Sequence, residues 1–280
     1  MKLSVLMSVY AKESPHCLRQ SFESLAMQTR QADEMVVVED GPLGGELLDA
    51  LDDAGRILPI VRVRLFAQCG LGAALREGLD ACSGEFVARM DSDDICVPGR
   101  FACQLDFLER NPQVDVAGSA IAEFEDDPLC AVSVRRLPET SQELARFARY
   151  RNPLNHVTVM FRRESVLNAG SYQPCEGFED YQLWVRMLGR GCRLHNLPEV
   201  LVYVRCGNGM HRRRGGFSYF LRELAFQRFL HRSGMLTLPG VARNVLLRAP
   251  IRIAPVFIRS FCYERFLREP APQNGGFKLE

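Results

Sequence analysis

Apolar residues recur along this chain in two alternating rhythms. Leu3 to Val9 is a short, almost unbroken apolar run, as expected of a strand covered on both faces. Ser14 and Pro15 then supply a cap and a first-turn residue for a helix, and Leu18, Phe22 and Leu25 recur at helical spacing. A second buried run, Met35-Val36-Val37-Val38, stops abruptly at Glu39-Asp40-Gly41-Pro42. Leu47, Leu48 and Leu51 mark another helix, and Val61, Val63 and Leu65 alternate with arginines, the pattern of a half-exposed strand. Leu71, Leu75 and Leu79 repeat every fourth residue, and Phe86 to Met90 forms a further strand that ends at Asp91-Ser92-Asp93-Asp94. Pro98 opens a helix carrying Phe101, Leu105 and Leu108, which Asn111-Pro112 closes.

Strands alternating with helices through residue 118 predict an α/β fold with a doubly wound, mostly parallel, Rossmann-like sheet. Such sheets bind ligands beyond the carboxyl ends of their strands, where both acidic clusters fall. After residue 118 the rhythm loosens. Residues 125–140 read as a polar loop, Val157 to Phe161 as a strand, and Glu164 to Ala169 as a short helix closed by Gly170. Tyr181, Trp184, Val185 and Leu188 give a helical face just after Glu179-Asp180, and Leu201 to Val204 reads as a final strand. Between residues 205 and 269, thirteen arginines face three glutamates with apolar residues interleaved, which predicts a basic helical C-terminal extension.

A 47% hydrophobic and 25% charged composition is that of a globular chain with a sizeable core. The net charge of +1 argues against a general nucleic-acid binder. Ten cysteines include no C-x-x-C pair, which disfavours a zinc ribbon or thioredoxin-like site and favours reduced core thiols. No apolar run has the length of a membrane-spanning helix, and the N-terminus lacks a signal-peptide cleavage pattern, so a cytoplasmic location is expected.

Asp91, Asp93 and Asp94 offer hard oxygen ligands suited to Mg²⁺ or Mn²⁺, with a diphosphate completing the coordination; the plain alternative is a helix cap and a solvated turn. Glu39-Asp40 can accept hydrogen bonds from a base or ribose, or can simply make a tight turn. Gly70-Leu71-Gly72 precedes a helix, but Leu75 occupies the third glycine position of a dinucleotide fingerprint, which therefore fails. Arg76 on that helix reaches a phosphate or is merely exposed. Glu179-Asp180 caps its helix or supplies a general base. The five histidines show no metal-ligand spacing, and His156 reads as structural.

Taken in order, Ser4-Val5-Leu6-Met7-Ser8-Val9-Tyr10, Val38-Glu39-Asp40-Gly41, Met90-Asp91-Ser92-Asp93-Asp94 and Gly177-Phe178-Glu179-Asp180-Tyr181-Gln182-Leu183-Trp184 resemble the family 2 glycosyltransferases over residues 3–205. The resemblance implies a GT-A fold, with a nucleotide-sugar-binding half at 1–118, an acceptor-binding half at 119–210 and the basic extension at 211–280. It implies that Val9 and Tyr10 border the base, and that Asp40 or Glu39 contacts uracil or ribose. Arg76 would fall on the phosphate side, Asp91 and Ser92 would lie at the ribose and diphosphate, and Asp93 would bind the metal with Asp91. Asp180 would be the catalytic base of a single inverting displacement from a UDP-sugar to a glycan or polyprenyl-linked acceptor. The Glu-Asp-Gly-Pro turn and the Arg205-Cys206-Gly207-Asn208-Gly209-Met210 segment resemble the bacterial exopolysaccharide and O-antigen branch.

Two departures stand out: many relatives have Asp-Asp where this chain has Glu39-Asp40, and Ala-Arg-Asn where it has Ala74-Leu75-Arg76. The absence of a Gln-x-x-Arg-Trp segment disfavours a processive synthase. A sugar-1-phosphate nucleotidyltransferase would need a glycine-rich loop where Tyr10-Ala11-Lys12-Glu13 stands, and a non-catalytic nucleotide-binding relative would not need Asp91, Asp93 and Asp180. The basic extension has two readings: a bundle packed on the catalytic domain, or a peripheral contact through 211–270 with anionic lipid at the inner face of the plasma membrane.

Overall fold

The computed structural model describes residues 1–206, 216–253 and 269–270. The first part of the chain runs β1 (Leu3–Val9), α1 (Pro15–Ala26), β2 (Glu34–Glu39), α2 (Gly45–Ala54), β3 (Ile60–Arg64), α3 (Leu71–Ala81), β4 (Phe86–Arg89), β5 (Ile95–Cys96) and α4 (Arg100–Arg110). There follow β6 (Val116–Phe124), β7 (Ser133–Arg135), α5 (Ser141–Phe147), β8 (Met160–Arg162), α6 (Arg163–Asn168), α7 (Glu179–Gly189) and β9 (Leu194–Arg205). Two helices, α8 (Phe217–Arg232) and α9 (Leu238–Ile253), and the short β10 (Glu269–Pro270) complete it.

The alternation of side chains along a strand divides the core into two layers. Leu3, Val5, Met7 and Val9 of β1 cluster with Leu18 and Phe22 of α1, Leu47 and Leu51 of α2, and Phe101 of α4. Leu6, with Val36 and Val38 of β2, clusters instead with Leu75 and Leu79 of α3 and Trp184 of α7. A strand flanked by helices on both sides must be apolar at every position, which is why β1 reads as an unbroken run. The sheet order is β10-β7-β6-β8-β4-β1-β2-β3, with β4, β1, β2 and β3 mutually parallel and β8 antiparallel to β4. β9 runs parallel to β6 with an irregularity beside Ser119 and Ala120, and also pairs with β5. The expected doubly wound sheet is therefore present, and the division at residue 118 falls inside β6.

Three expectations for the second half change. The stretch 125–140 contains β7, whose single buried side chain, Val134, leaves no periodic signal. In the expected strand at 157–161, His156–Thr158 forms a 3-10 turn instead, because the Thr158 hydroxyl donates to Asn155 O at 2.8 Å and accepts from Ser119 N at 2.9 Å. The final strand is longer than Leu201–Val204 and begins at Leu194, its first half hidden in the sequence by His195, Asn196, Pro198 and Glu199.

α8 turns Tyr219, Phe226 and Leu230 onto Phe178, Tyr181 and Val185 at the start of α7. Phe226 stacks on Phe178 at 4.6 Å, and burial of one such side chain is worth about 1.5–3 kcal/mol. Of the extension expected at 211–280, the described parts 217–232 and 238–253 are helical; residues 211–215, 254–268 and 271–280 lie outside the described residues. All nine cysteines among the described residues are free thiols.

Candidate functional site

A cavity of about 400 Å³ opens at the carboxyl ends of β1, β2 and β4 and is lined by Ser8, Tyr10, Asp40, Gly70, Asp91 and Arg205 among others. Parallel strands ending together put three loops at this one edge, and the acidic turn after β4 forms its floor. Carboxylate oxygens of Asp91, Asp93 and Asp94 all lie within 4.8 Å of one another. The turn is held by three hydrogen bonds from two residues. Ser21 Oγ of α1 donates to Asp91 O at 3.1 Å, Arg205 N donates to Asp94 Oδ1 at 2.8 Å, and Arg205 Nε donates to Asp93 O at 3.2 Å. Burial, followed by the like charges of Asp91 and Asp93, pushes the Asp94 carboxyl well above the usual carboxylate range. Crowded acids of this kind are relieved by a divalent cation, and hard oxygens at this spacing suit Mg²⁺ or Mn²⁺.

Two buried arginines brace the acidic turn. Arg89, the last residue of β4, is 3% exposed and pairs with Asp91. Burial alone would weaken its hold on a proton; the charge of Asp91 outweighs that and raises it. Arg100 of α4 is fully buried, and its guanidinium donates to the Arg89 carbonyl at 2.8 Å and to Gln104 Oε1 at 3.0 Å. A charge taken out of water is costly unless its hydrogen bonds are met, so these contacts lock the end of β4.

At the neighbouring strand end, Asp40 and Glu39 separate. Asp40 is 4% exposed, lines the cavity, and accepts from Cys69 N at 2.6 Å and Gly70 N at 3.0 Å. It thereby ties the loop before α3 to the end of β2. Gly41, at φ 87°, permits this, since a Cβ there would sit 2.7 Å from Gln68 N. Glu39 turns away and is held by Arg62 Nε at 2.5 Å and Arg64 Nε at 3.1 Å.

Beside the cavity, the start of α7 abuts the first turn of α3. A Cβ on Gly72 would meet Gln173 O at 2.7 Å and Glu179 Cγ at 2.8 Å, so only glycine allows this approach. Asp180 Oδ2 accepts from Asn152 Nδ2 at 2.5 Å, and Asp180 Oδ1 from Tyr181 N at 2.7 Å. Burial first, with the charge of Asp180 adding to it, raises the Glu179 carboxyl above its ordinary range. Between acid cluster and helix start lies Tyr172, which feels the charges of both Asp91 and Asp180, and whose hydroxyl bonds His156 Nε2 at 3.0 Å. Burial, and then the Arg89 cation, hold His156 well below the ordinary imidazole range, so it is neutral.

The structure thus gathers Tyr10, Asp40, Asp91, Ser92 and Asp93 around one cavity. Val9 is fully buried in the core, Glu39 is consumed by β3, and Arg76 is exposed beside Glu77 at 3.3 Å; none of the three lines the cavity. Asp180 is not in its wall but stands at the adjoining helix start. Sequence reasoning passed over Arg89 and Asn152, and took Arg205 only as part of a branch-specific segment. The signal for Arg89 was present, since a lone charge inside the apolar run Phe86–Met90 requires a buried partner. Asn152 carried none.

Residues 4–171 match the family model described as glycosyl transferase family 2. The amylovoran biosynthesis glycosyltransferase AmsE of Erwinia amylovora is 41% identical, over 94% of this chain and 98% of that protein. An Escherichia coli protein named UDP-Gal:alpha-D-GlcNAc-diphosphoundecaprenol beta-1,3-galactosyltransferase is 34% identical, over 95% of this chain and 97% of its own length. Among solved structures, Staphylococcus aureus TarS 1–349 in complex with UDP-GlcNAc superimposes with a TM-score of 0.68 at 18% identity, covering 94% of this chain and 75% of that one. At that identity the likeness speaks for the fold alone.

Proposed function

Since the chain belongs to glycosyl transferase family 2, we propose that it moves a sugar from a UDP-sugar to a hydroxyl of a glycan or lipid-linked oligosaccharide, inverting the anomeric carbon. The observation that carries this reading is the acid cluster, three carboxylates within 4.8 Å on the floor of a strand-end cavity. Two full-length relatives, named for amylovoran biosynthesis and for galactosyl transfer to GlcNAc-diphosphoundecaprenol, support a role in making a cell-surface polysaccharide.

Asp93 and Asp91 would hold Mg²⁺ or Mn²⁺, which when bound offsets the charge of the departing diphosphate. Tyr10 would border the base. Asp40 already spends a lone pair of each oxygen on the Cys69 and Gly70 amides, and its remaining lone pairs would meet the base or ribose. Its main contribution is then to set the loop against which the nucleotide lies. Asp180 Oδ2 would take the proton of the acceptor hydroxyl as that oxygen attacks the anomeric carbon from the face opposite the leaving diphosphate. The test is nucleotide release from UDP-, GDP- and dTDP-sugars with Mn²⁺ or Mg²⁺, offered a GlcNAc-diphosphate-alkyl acceptor. Release from a UDP-sugar that stops in EDTA is the expected outcome. Release that persists in EDTA would remove the metal from the scheme, and release from a GDP- or dTDP-sugar alone would reassign the donor.

We also propose peripheral contact with anionic lipid at the inner face of the plasma membrane. The inner side of α8 packs on α7, so the extension is partly a bundle. The outer side of α9 presents a stripe of Leu246 and Leu247 at 74% and 66% exposure, and one face of α8 presents Phe217 and Leu221 with Arg228 and Arg232. Apolar side chains flanked by arginines on one helix face suit a lipid headgroup boundary. The double change Leu246→Gln with Leu247→Gln should weaken binding to phosphatidylglycerol vesicles about tenfold or more. Sedimentation with vesicles measures this, and unchanged binding removes the stripe from the interface.

A further inference from the structure

The start of α7 carries a carboxylate whose orientation depends on a residue far from it in sequence. Asn152 stands in the segment between α5 and β8, and its Nδ2 lies 2.5 Å from Asp180 Oδ2. The direction of the Asn152 amide is set by its other end, because Asn152 Oδ1 accepts from Leu154 N at 3.3 Å, leaving the NH₂ group to face Asp180. The segment itself is bolted down. Asn196 Nδ2, from β9, donates to Pro153 O at 3.1 Å, and Asn155 Nδ2 donates to Ser119 O of β6 at 2.8 Å. Asp180 Oδ1 is meanwhile held by the Tyr181 amide of its own helix. A short carboxylate with one oxygen held by its helix and the other by a fixed amide has a single orientation.

We propose that Asn152 is a positioning residue for Asp180, holding its carboxylate ionised and aimed at the acceptor side of the cavity. This rests on the reading of Asp180 as the base. Glu179 and Cys175 from its own approach, Tyr172, and Tyr181 beside it are among the titratable groups that feel the Asp180 charge. Each of these four is an acid, neutral or negative in every protonation state, so none of them brings a positive charge to the carboxylate. An N–H donated to the charged form stabilises it.

Asn152→Asp separates orientation from fold. It keeps an oxygen for the Leu154 amide, so the turn survives, while it replaces the donor to Asp180 with a second acceptor. Full-length protein labelled with ¹³C at aspartate side-chain carboxyls would be titrated by NMR, the Asp180 signal being the one lost in Asp180→Asn. The Asp180 midpoint should rise by about one pH unit or more in Asn152→Asp, and by a smaller amount in Asn152→Ala. The acid limb of kcat should follow it, with donor KM unchanged. An unshifted midpoint in folded Asn152→Asp, with Asp180→Asn inactive, overturns the role of Asn152 alone; should Asn152→Asp not fold, Asn152→Ala decides by the same measurement. Turnover retained in Asp180→Asn overturns the base reading and the positioning role together.

Discussion

Asp93→Ala is expected to lower metal-dependent nucleotide release by about three orders of magnitude, the scale on which a lost charge-stabilising group acts in a transition state. The size follows from how little the neighbours can compensate. Asp91 is tied to buried Arg89, and Asp94 to the Arg205 amide, so neither carboxylate can swing to replace the missing ligand without breaking a contact that holds the turn. Asp93 itself is only half buried, and its carbonyl, which the substitution keeps, accepts from Arg205 Nε, so the fold should survive. Chromatographic detection of released nucleotide, together with calorimetry of Mn²⁺ and UDP binding, measures the effect. Activity within tenfold of the parent would mean that the cluster does not hold the metal. Asp93→Asn should fall between, because an amide keeps one oxygen but not the charge.

The second large effect belongs to the helix start. Asp180→Asn should lower kcat by roughly 10²–10⁴-fold, the contribution of a general base, with donor KM changed little. The replacement has the same shape and its one amide oxygen keeps the Tyr181 N contact, while its NH₂ group meets the Asn152 NH₂, so the loss is of proton affinity together with the Asn152 hydrogen bond. Glu179→Gln supplies the contrast. Its carboxyl is raised by burial and its Cγ lies against the first turn of α3, so its work is packing, and about tenfold loss or less is expected. Steady-state kinetics with the UDP-sugar identified by release would decide between them, and the reverse order of losses would transfer the base to Glu179.

The first half of the fold was legible because β1, β2 and β4 are covered on both faces, β3 at the end of the sheet is only partly covered, and each helix is covered on one face, so periodicity reports burial directly. The second half was less so. β7 buries one side chain, β9 begins among polar residues and proline, and the 3-10 turn at His156–Thr158 is made by a threonine hydroxyl that reaches Ser119 across the sheet. None of these leaves a repeating pattern. The acid cluster was legible as well, because its three members are nearly adjacent and stand at a strand end.

What the sequence by itself determined, then, is the alternation of strands and helices in the first half of the chain, and the fact that acids terminate two central parallel strands and open one late helix. Tertiary structure decided which of those acids face the cavity. Glu39 and Asp40 are neighbours and chemically similar, yet successive side chains on a strand point to opposite sides. The register that sets Glu39 opposite Arg64 gives it to the arginines of β3, while Asp40 receives the amides of a loop thirty residues on. Asp180 likewise takes its orientation from Asn152, twenty-eight residues before it. A carboxylate's role is set by the donors and charges around it, and here those come from segments that only folding brings together.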